Sequence, residues 1–537
     1  MKLRKVLLAA VALVTIYVWW SLTREYRLDV YESAEDHFKY GSIGSETGGT
    51  LLHPIGGLLP PAPIFKALPN VCTGVATRTG VTSYTTVKSY EDFGLIYEET
   101  ADGTKRDLPV GISRRHRLGM EIVGINCALC HAGTVRTAPE ARPVVVPGMP
   151  PQQVDVQRLF RFMFDCVGSA EFTASRVIRQ IGRDEHRRLS LIERARYRIL
   201  VPRIRGQLAT LDGKIGLLTT ERVTASGPGR LDTINPGKAV ETGWDLQTLF
   251  TENRKGELIA TTDFPSAWNL ASRKGFRMHW DGNFGSIDEV LHSALLAVGA
   301  KPQTLDAEQF KRVSEYLSAL LPPSFPFPHD EKLAAAGREI FSARCAQCHE
   351  RRPGVGQVTS NDTLRVDGYR LNAFTPAYAK SLQVALNQNY GKSAFKFTHV
   401  EKTGGYANMP LDGVWARAPY LHNGSVPSLR DLLQPEECRP PKFRRGSDVY
   451  DPVNVGFVSY AASPSVTGCP RPEGRPGPTF EEGANVKGLF EFDTALPGNH
   501  NIGHTGPSFG TDLTPEEKEQ LIEFLKTYKA PVASLPG

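Results

Sequence analysis

Residues 127–131 read Cys-Ala-Leu-Cys-His, and residues 345–349 read Cys-Ala-Gln-Cys-His. Two thiols three positions apart, followed directly by an imidazole, have the spacing for covalent attachment of a c-type haem. Cys127 and Cys130, and again Cys345 and Cys348, would add to the porphyrin vinyl groups, while His131 and His349 turn beneath the ring to ligate iron. A structural zinc site would need a second ligand pair of matching spacing, and a thioredoxin-like motif would not need the histidine. The chain has eight cysteines and 13 histidines among 537 residues. Composition alone supplies roughly 0.003 such pentamers, so two of them are not an accident. The cofactor expectation is two covalently bound haem c groups.

The segments around the motifs repeat in order. Cys127 is followed by HWDGNFGSIDEVL (279–291) and then by DAEQFKRVSEYLSALLPP (306–323). Cys345 is followed by LHNGSVPSLRDLL (421–433) and then by TPEEKEQLIEFLKTY (514–528). Laid on each other, Trp280 meets His422, Gly282 meets Gly424, Ser286 meets Ser428, Ile287 meets Leu429, and Leu291 meets Leu433. Ahead of the second motif, EKLAAAGREIFSA puts Leu333, Ala336, Ile340 and Phe341 on one helical face. The last helix carries a start signal: Thr514 as N-cap, Pro515 in the first turn and Glu517 to close a capping box.

The expected fold class is therefore mainly α with extensive irregular loops, built as two tandem cytochrome c-like haem domains joined by LPPSFPFP (321–328). The expected boundaries are 1–23 for an N-terminal membrane anchor or signal, 24–320 for an N-terminal haem c domain, and 321–537 for a C-terminal one. His131 to Gly282 spans 151 residues and His349 to Gly424 only 75. The first unit thus holds a large insertion, expected in the Arg-rich stretch 170–260.

The formal charge of +6 is modest and dispersed along the sequence, with no basic block longer than a few residues, which argues against nucleic acid. The chain opens on a basic start and an uncharged apolar run from Val6 to Trp20, extended by Ser21 and Leu22. Trp19 and Trp20 stand where a signal-peptide cleavage site needs small residues, so the run reads as an uncleaved anchor with the remainder on the periplasmic side of the cytoplasmic membrane. The alternative is a cleaved signal and a soluble periplasmic or secreted protein. In such an oxidising compartment Cys438 and Cys469 could staple one Pro-rich segment, which leaves Cys72 and Cys166 as the remaining combination; unpaired thiols are the other reading.

With both attachment motifs, WDG at 280–282, APYLHNGS at 418–425 and the C-terminal helix in view, residues 105–530 resemble the bacterial di-haem cytochrome c peroxidase superfamily. KYGSIGSE (39–46), PGRLDTINP (228–236), MHWDGN (278–283) and WARAPYLHNGSVPSL (415–429) resemble the branch containing rubber oxygenase and a bacterial oleate dioxygenase. The resemblance implies that the N-terminal haem is the reactive one, that the C-terminal haem relays electrons, and that Trp280 lies between them. Where the peroxidases place a methionine sixth ligand, this chain reads NHNIGHTGPSFGTDL. His504 is then the expected sixth ligand of the second haem, with His500 and Met409 as competitors.

His279 stands open as a distal ligand, a hydrogen-bond donor to bound oxygen, or a structural histidine. Arg230 and Arg417 are propionate candidates because a guanidinium fork matches a carboxylate. His422 supports a propionate or backbone in the related fold. A calcium ion between the haems, as in some peroxidases, stays open.

The acidic residue the peroxidases carry about twenty positions after the tryptophan is missing from HSALLAVGAKPQT (292–304). Without an acid to move a proton, peroxide heterolysis is slowed by about 10²–10⁴. An apolar pocket suits O₂ beside an apolar substrate instead; Leu291, Leu295 and Leu296 either line it or are plain core. The first expectation is thus an exported haem-dependent oxidoreductase, an oxygenase acting with O₂ on an apolar unsaturated small molecule, with His279 and Trp280 as catalytic candidates. The alternatives are a peroxidase fed by a small periplasmic electron donor, and a non-enzymatic electron-transfer cytochrome. The expected partners further include the membrane, through the N-terminal anchor.

Overall fold

Side-chain caps fix where nearly every longer helix of this chain begins. The computed structural model describes residues 11–16, 31–46, 58–78, 84–100, 102–117, 120–300, 302, 305–391, 395–459, 469 and 489–529. In chain order its main elements are α1 (Ala34–Tyr40), α2 (Ala62–Val71), a ribbon of β1 (Ile112–Arg117) and β2 (Met120–Ile125), α3 (Val156–Gly168), α4 (Ala174–Asp184), α5 (Leu191–Ile215), α6 (Ile287–Ala297), α7 (Ala307–Ala319), α8 (Glu331–Arg344), α9 (Pro376–Tyr390) and α10 (Pro515–Thr527). Each except α2 starts at a Ser, Thr or Asp whose side chain accepts from the first turn, satisfying donors that the helix itself leaves unpaired. At Thr514 the capping box with Glu517 forms as the sequence predicts. The fold is α-rich, and among the described residues the strands form only two-stranded antiparallel ribbons.

A helix pair flanks each attachment motif. α8 runs straight into Cys345 and crosses α10, with Phe341 against Phe524 (ring centroids 5.2 Å) and Tyr528 (4.9 Å). α1 packs on α7 through Phe38 and Tyr316 (5.5 Å) and touches the turn that carries the first motif. Here the helix lies far upstream of its motif in sequence, and Asn126 ties the two together: its side chain donates to the carbonyls of Lys39 (3.2 Å) and Gly41 (3.1 Å).

The internal repeat is visible in the backbone. Met278 bridges Phe284 and Tyr420 bridges Val426. Between them Gly282 N–H donates to His279 O (3.3 Å) and Gly424 N–H to Leu421 O (3.1 Å). His279 and Leu421 both have φ of 65°, and Gly282 and Gly424 both 60°. His279 and Leu421 carry side chains at that φ, but a Cβ at Gly282 would stand 2.4 Å from Val358 Cγ2 and one at Gly424 2.2 Å from Asp263 Oδ2, so close approach as well as φ selects glycine there. Ser286 and Ser428 then cap the following helices in the same way.

Between His131 and Gly282 lie α3, α4 and α5, which pack with α2 on one apolar core holding Phe65, Phe93, Phe162, Leu200 and Ile204. The Cys72–Cys166 disulfide ties the end of α2 to α3 across a separation of 94 residues, a closure stabilising by about 4 kcal/mol in the chain-entropy account. Two other cores draw on both halves of the chain. One joins Met149 and Trp268 to Phe341, Trp415, Tyr450 and Leu521; another joins Phe276, Met278 and Phe284 to Phe374, Tyr378 and Phe397. Leu295 and Leu296 are buried in two different clusters and Leu291 packs on the first of these, so they act as core.

The expected N-terminal anchor is corrected. No helix among the described residues is long and apolar enough to cross a membrane. Of the run from Val6 to Leu22, residues 11–16 are described; they are helical, with Val11, Leu13, Val14 and Ile16 all exposed, and the rest lies outside the described residues.

Candidate functional site

β2 delivers the first motif. Its last residue leads into Asn126, whose side-chain oxygen accepts from Ala128 N–H (3.0 Å) and so shapes the single turn Ala128–His131. His131 Nδ1 lies 2.9 Å from the Pro265 carbonyl. α8 delivers the second motif into the turn Ala346–His349, and His349 Nδ1 lies 2.8 Å from the Met409 carbonyl. In each case Nδ1–H donates to a backbone oxygen, which fixes the tautomer and leaves Nε2 as the free lone pair. Iron-ligating histidines are oriented in this way. Desolvation pushes His131 down to about 4 and also lowers His349, so both rings are neutral at pH 7.

The eight cysteines have two fates. Cys72–Cys166 and Cys438–Cys469 are disulfides, whereas Cys127, Cys130, Cys345 and Cys348 are free thiols. Burial pushes Cys127 to about 11, Cys130 to about 12 and Cys345 to about 11, and raises Cys348. A site that holds its thiols protonated is poor at thiolate nucleophilic or zinc chemistry. It is compatible with neutral thioethers.

Each motif histidine has a second, half-buried histidine near enough for their charges to interact: His279 with His131, and His504 with His349. His279 Nδ1 lies 3.0 Å from Asn283 Oδ1, and its ring meets Phe284 edge-on at 4.8 Å. Burial is the main cause that holds His279 down to about 4. His504, at φ 52°, is pushed to about 3, again mainly by burial, and its Nδ1 has no hydrogen-bond partner. Its loop is held firmly. His504 N–H donates to Leu364 O (2.8 Å), Gly503 N–H to Glu436 Oε2 (2.8 Å), and Arg439 reaches the carbonyls of Asn501 (2.6 Å) and Gly503 (2.8 Å). The competitors lie elsewhere: His500 sits with its Nδ1 2.9 Å from the Asp367 carboxylate and its ring 5.9 Å from that of Tyr369, and the Met409 side chain packs on the core of Phe276 and Phe397.

Trp280 follows His279 and packs against the same apolar cluster as Leu364. Its indole donates to the Asp263 carbonyl (2.7 Å), and Asp263 N–H donates to the His422 carbonyl (3.0 Å). His422 Nε2 is 2.9 Å from the Tyr406 hydroxyl, with the rings stacked at 4.1 Å. Trp280, Tyr406, Leu364 and Leu421 share one apolar cluster, and Leu364 is the residue whose carbonyl holds His504. A contiguous packed path therefore joins His279 to the His504 loop. Burial, then Arg370 and Arg230, push His422 well below the ordinary histidine value, so it stays neutral.

Buried arginines surround this path. Arg370 pairs with Asp281 (2.9 Å) and Arg445 with Asp263 (2.7 Å). Arg230, wholly buried, stacks on Phe492 and donates to the carbonyls of Ser226 and Gly498; burial, with Arg445 nearby, lowers it to about 9. Arg417 donates to Pro410 O (2.8 Å) and pairs with Asp412, and its charge acts on His349. Arg230, Arg273, Arg417, Arg439 and Arg445 all have a buried Nε–H without a partner. Such surplus donors cost free energy unless acceptors meet them, and the two carboxylates of a haem are acceptors of the right kind. The donor set thus fits haem on three counts: thiols, tautomer-fixed imidazoles and orphaned guanidinium N–H groups. Among the described residues no cluster of three or more His, Cys, Asp or Glu side chains could hold a metal ion by itself, so the calcium expectation gains no support from them.

Sequence reasoning missed Tyr406, Arg273, Arg370, Arg439 and Arg445. They come singly from distant segments with no spacing to flag them; only the repeat, which set His422 against Trp280, pointed at this neighbourhood.

A family model described as RoxA-like, cytochrome c-like matches residues 405–444, the segment from Tyr406 through His422 to Arg439. A Sinorhizobium fredii protein, y4iM, described as uncharacterized, is 29% identical over 299 residues, which is 50% of this chain and 64% of that protein. A second from the same organism, y4iJ, also described as uncharacterized, is 40% identical over 128 residues, 23% of this chain and 17% of the relative. The chain thus spans less than two thirds of either relative's length.

Proposed function

We propose that the chain is a c-type cytochrome with two covalently attached haems, working as a haem-dependent oxidoreductase that moves electrons between them. The observation that carries the reading is the paired histidines: His131 and His349, each with Nδ1 tied to a carbonyl, each with a second, half-buried histidine nearby. On this reading Cys127 and Cys130 hold one haem and Cys345 and Cys348 the other, in units divided near residue 321. His504 would be the sixth ligand of the second, and His279 would serve as the distal ligand of the first.

When bound, the haems supply reversible one-electron chemistry, at a potential lower for two histidines than for His/Met. The chain's own residues do the rest. Arg439 and Glu436 hold the His504 loop in place, and Asp281 and Arg370 brace the turn carrying His279. Trp280 and Tyr406 fill the space between with polarizable rings. The RoxA-like match over 405–444, which contains Tyr406 and His422, supports the haem-related reading. The two disulfides accord with folding in an oxidising compartment.

A second reading, an oxygenase on an apolar unsaturated small molecule, is favoured by one observation. The carboxylate nearest the expected acid position, Asp306, is engaged as the N-cap of α7, accepting from Gln309 N–H (3.2 Å), so it is a structural cap rather than a proton donor. The pyridine haemochrome assay and an absorption spectrum of the purified chain test both. Two haems per chain, fully low-spin and unchanged on adding O₂ to the reduced protein, is the expected result. Fewer than two haems ends the proposal. A haem that opens on reduction and binds O₂ moves the assignment to the second reading.

A further inference from the structure

The net charge is not dispersed but concentrated in one stretch of the chain. Residues 174–205, covering α4 and the first part of α5, hold ten arginines against Asp184, Glu185 and Glu193, a net of +7 where the whole chain carries +6. The rest of the protein is therefore close to neutral.

α5 is apolar on two opposite faces. Tyr197, Leu200, Val201, Ile204 and Leu208 form the inner stripe, buried against α3 and α4. At about 100° per residue, Leu191, Ile192, Ala195, Ile199, Pro202 and Gly206 fall on a second contiguous stripe, and all six are exposed. Leu191 is 82% exposed, Ile192 60% and Ile199 44%. Arg194 and Arg198 run along one border of this stripe and Arg203 along the other, all exposed and none in an ion pair among the described residues.

The outer side of a surface helix is ordinarily polar, and an exposed apolar stripe marks an interaction site. Two copies of this face would bring arginine rows together, which opposes self-association. The occupant must be apolar along the middle and anionic at the borders. We propose that the outer face of α5 is a peripheral docking surface for an anionic phospholipid bilayer. The helix lies in the interface plane, Leu191, Ile192 and Ile199 enter the acyl boundary, and Arg194, Arg198 and Arg203 meet lipid phosphates. The assignment does not depend on the haem reading.

Co-sedimentation of the full-length holoprotein with phosphatidylcholine vesicles, with and without roughly a third phosphatidylglycerol, tests it. Binding is expected only with phosphatidylglycerol and should weaken with salt. Arg194→Gln with Arg198→Gln should reduce it about twenty-fivefold, about fivefold per arginine. Leu191→Asp with Ile192→Asp should abolish it while circular dichroism stays unchanged, since acidic residues suit a first helical turn. The N-terminal apolar run is the same in every variant, so these losses report α5 alone. Wild-type-like binding by the Asp variant overturns the proposal. So does a protein that ignores the vesicles but whose α5 variants lose a dimer in light scattering, or lose binding to an acidic protein.

Discussion

Gly337 lies in α8 where α10 crosses it, and replacing it with alanine probes the helix pair that presents the second attachment motif. A Cβ at this position would stand 1.9 Å from the Gln520 carbonyl oxygen, 2.5 Å from its carbon and 2.9 Å from the Phe524 Cβ. The first two atoms are backbone, so no rotamer change relieves the contact. The helices must part by about 1 Å or more to restore van der Waals distance. That loosens Phe341 from Phe524 and Tyr528. Overpacking of this kind costs about 1–3 kcal/mol and the weakened ring contacts about 1 kcal/mol more, against a helix-propensity gain of about 1 kcal/mol. The net expectation for Gly337→Ala is a loss of about 2 kcal/mol. Gly213→Ala is the control: Gly213 lies inside α5, exposed, with nothing within 4 Å of its added Cβ, so it should gain about 0.5–1 kcal/mol. Urea unfolding followed by circular dichroism reads both. If Gly337→Ala moved the midpoint in the same direction as Gly213→Ala, the close crossing would be wrong.

Lys238 is fully buried, its ammonium donating to Glu257 O (2.9 Å), and desolvation pushes it down to about 8. Because the unfolded chain binds this proton more tightly, stability should rise between pH 8 and the model-peptide value near 10.4; below pH 8 the full penalty, roughly 2–3 kcal/mol, is present. Lys238→Met should flatten that rise in thermal unfolding measured across the window, and an equal slope in both proteins would remove Lys238 as its source. His504→Ala should give the second haem a high-spin signature while the first is unaffected; an unaltered spectrum would return the ligand role to His500 or Met409. Trp280→Phe keeps most of the apolar area, costing at most about 1–2 kcal/mol, yet should slow electron exchange between the haems. Wild-type exchange would make Trp280 a packing residue.

What the sequence made legible was what depends on local spacing. The two motifs, the Thr514 capping box and the Gly282/Gly424 correspondence need only a few adjacent residues, and each appears in the structure where its spacing puts it. The buried bridge was not legible. Tyr406, Arg370 and Arg445 matter because Asp281, Asp263 and His422 reach them across some 20 to 180 residues, a proximity that no linear pattern encodes. The N-terminal run was selected on hydropathy, which reports composition alone, and among the described residues no helix is long and apolar enough to cross a membrane. The outer stripe of α5 was hidden for the opposite reason: with apolar residues on both faces, no single amphipathic face stands out.

The two fates of the cysteines also constrain how the protein can be made. Eight thiols emerging together into an oxidising environment admit roughly a hundred complete pairings, whereas four admit only a handful. Cys127 and Cys130 lie inside the span closed by Cys72 and Cys166, so they are within reach of the wrong partners throughout oxidation. If thioether formation consumes its four thiols first, the oxidase faces a nearly solved problem. If oxidation runs ahead, scrambled chains accumulate that no later haem supply can rescue. On the proposed reading, yield of this protein is then set by the relative rates of two thiol-consuming catalysts, and haem-starved cells should accumulate mispaired chains rather than a clean apoprotein.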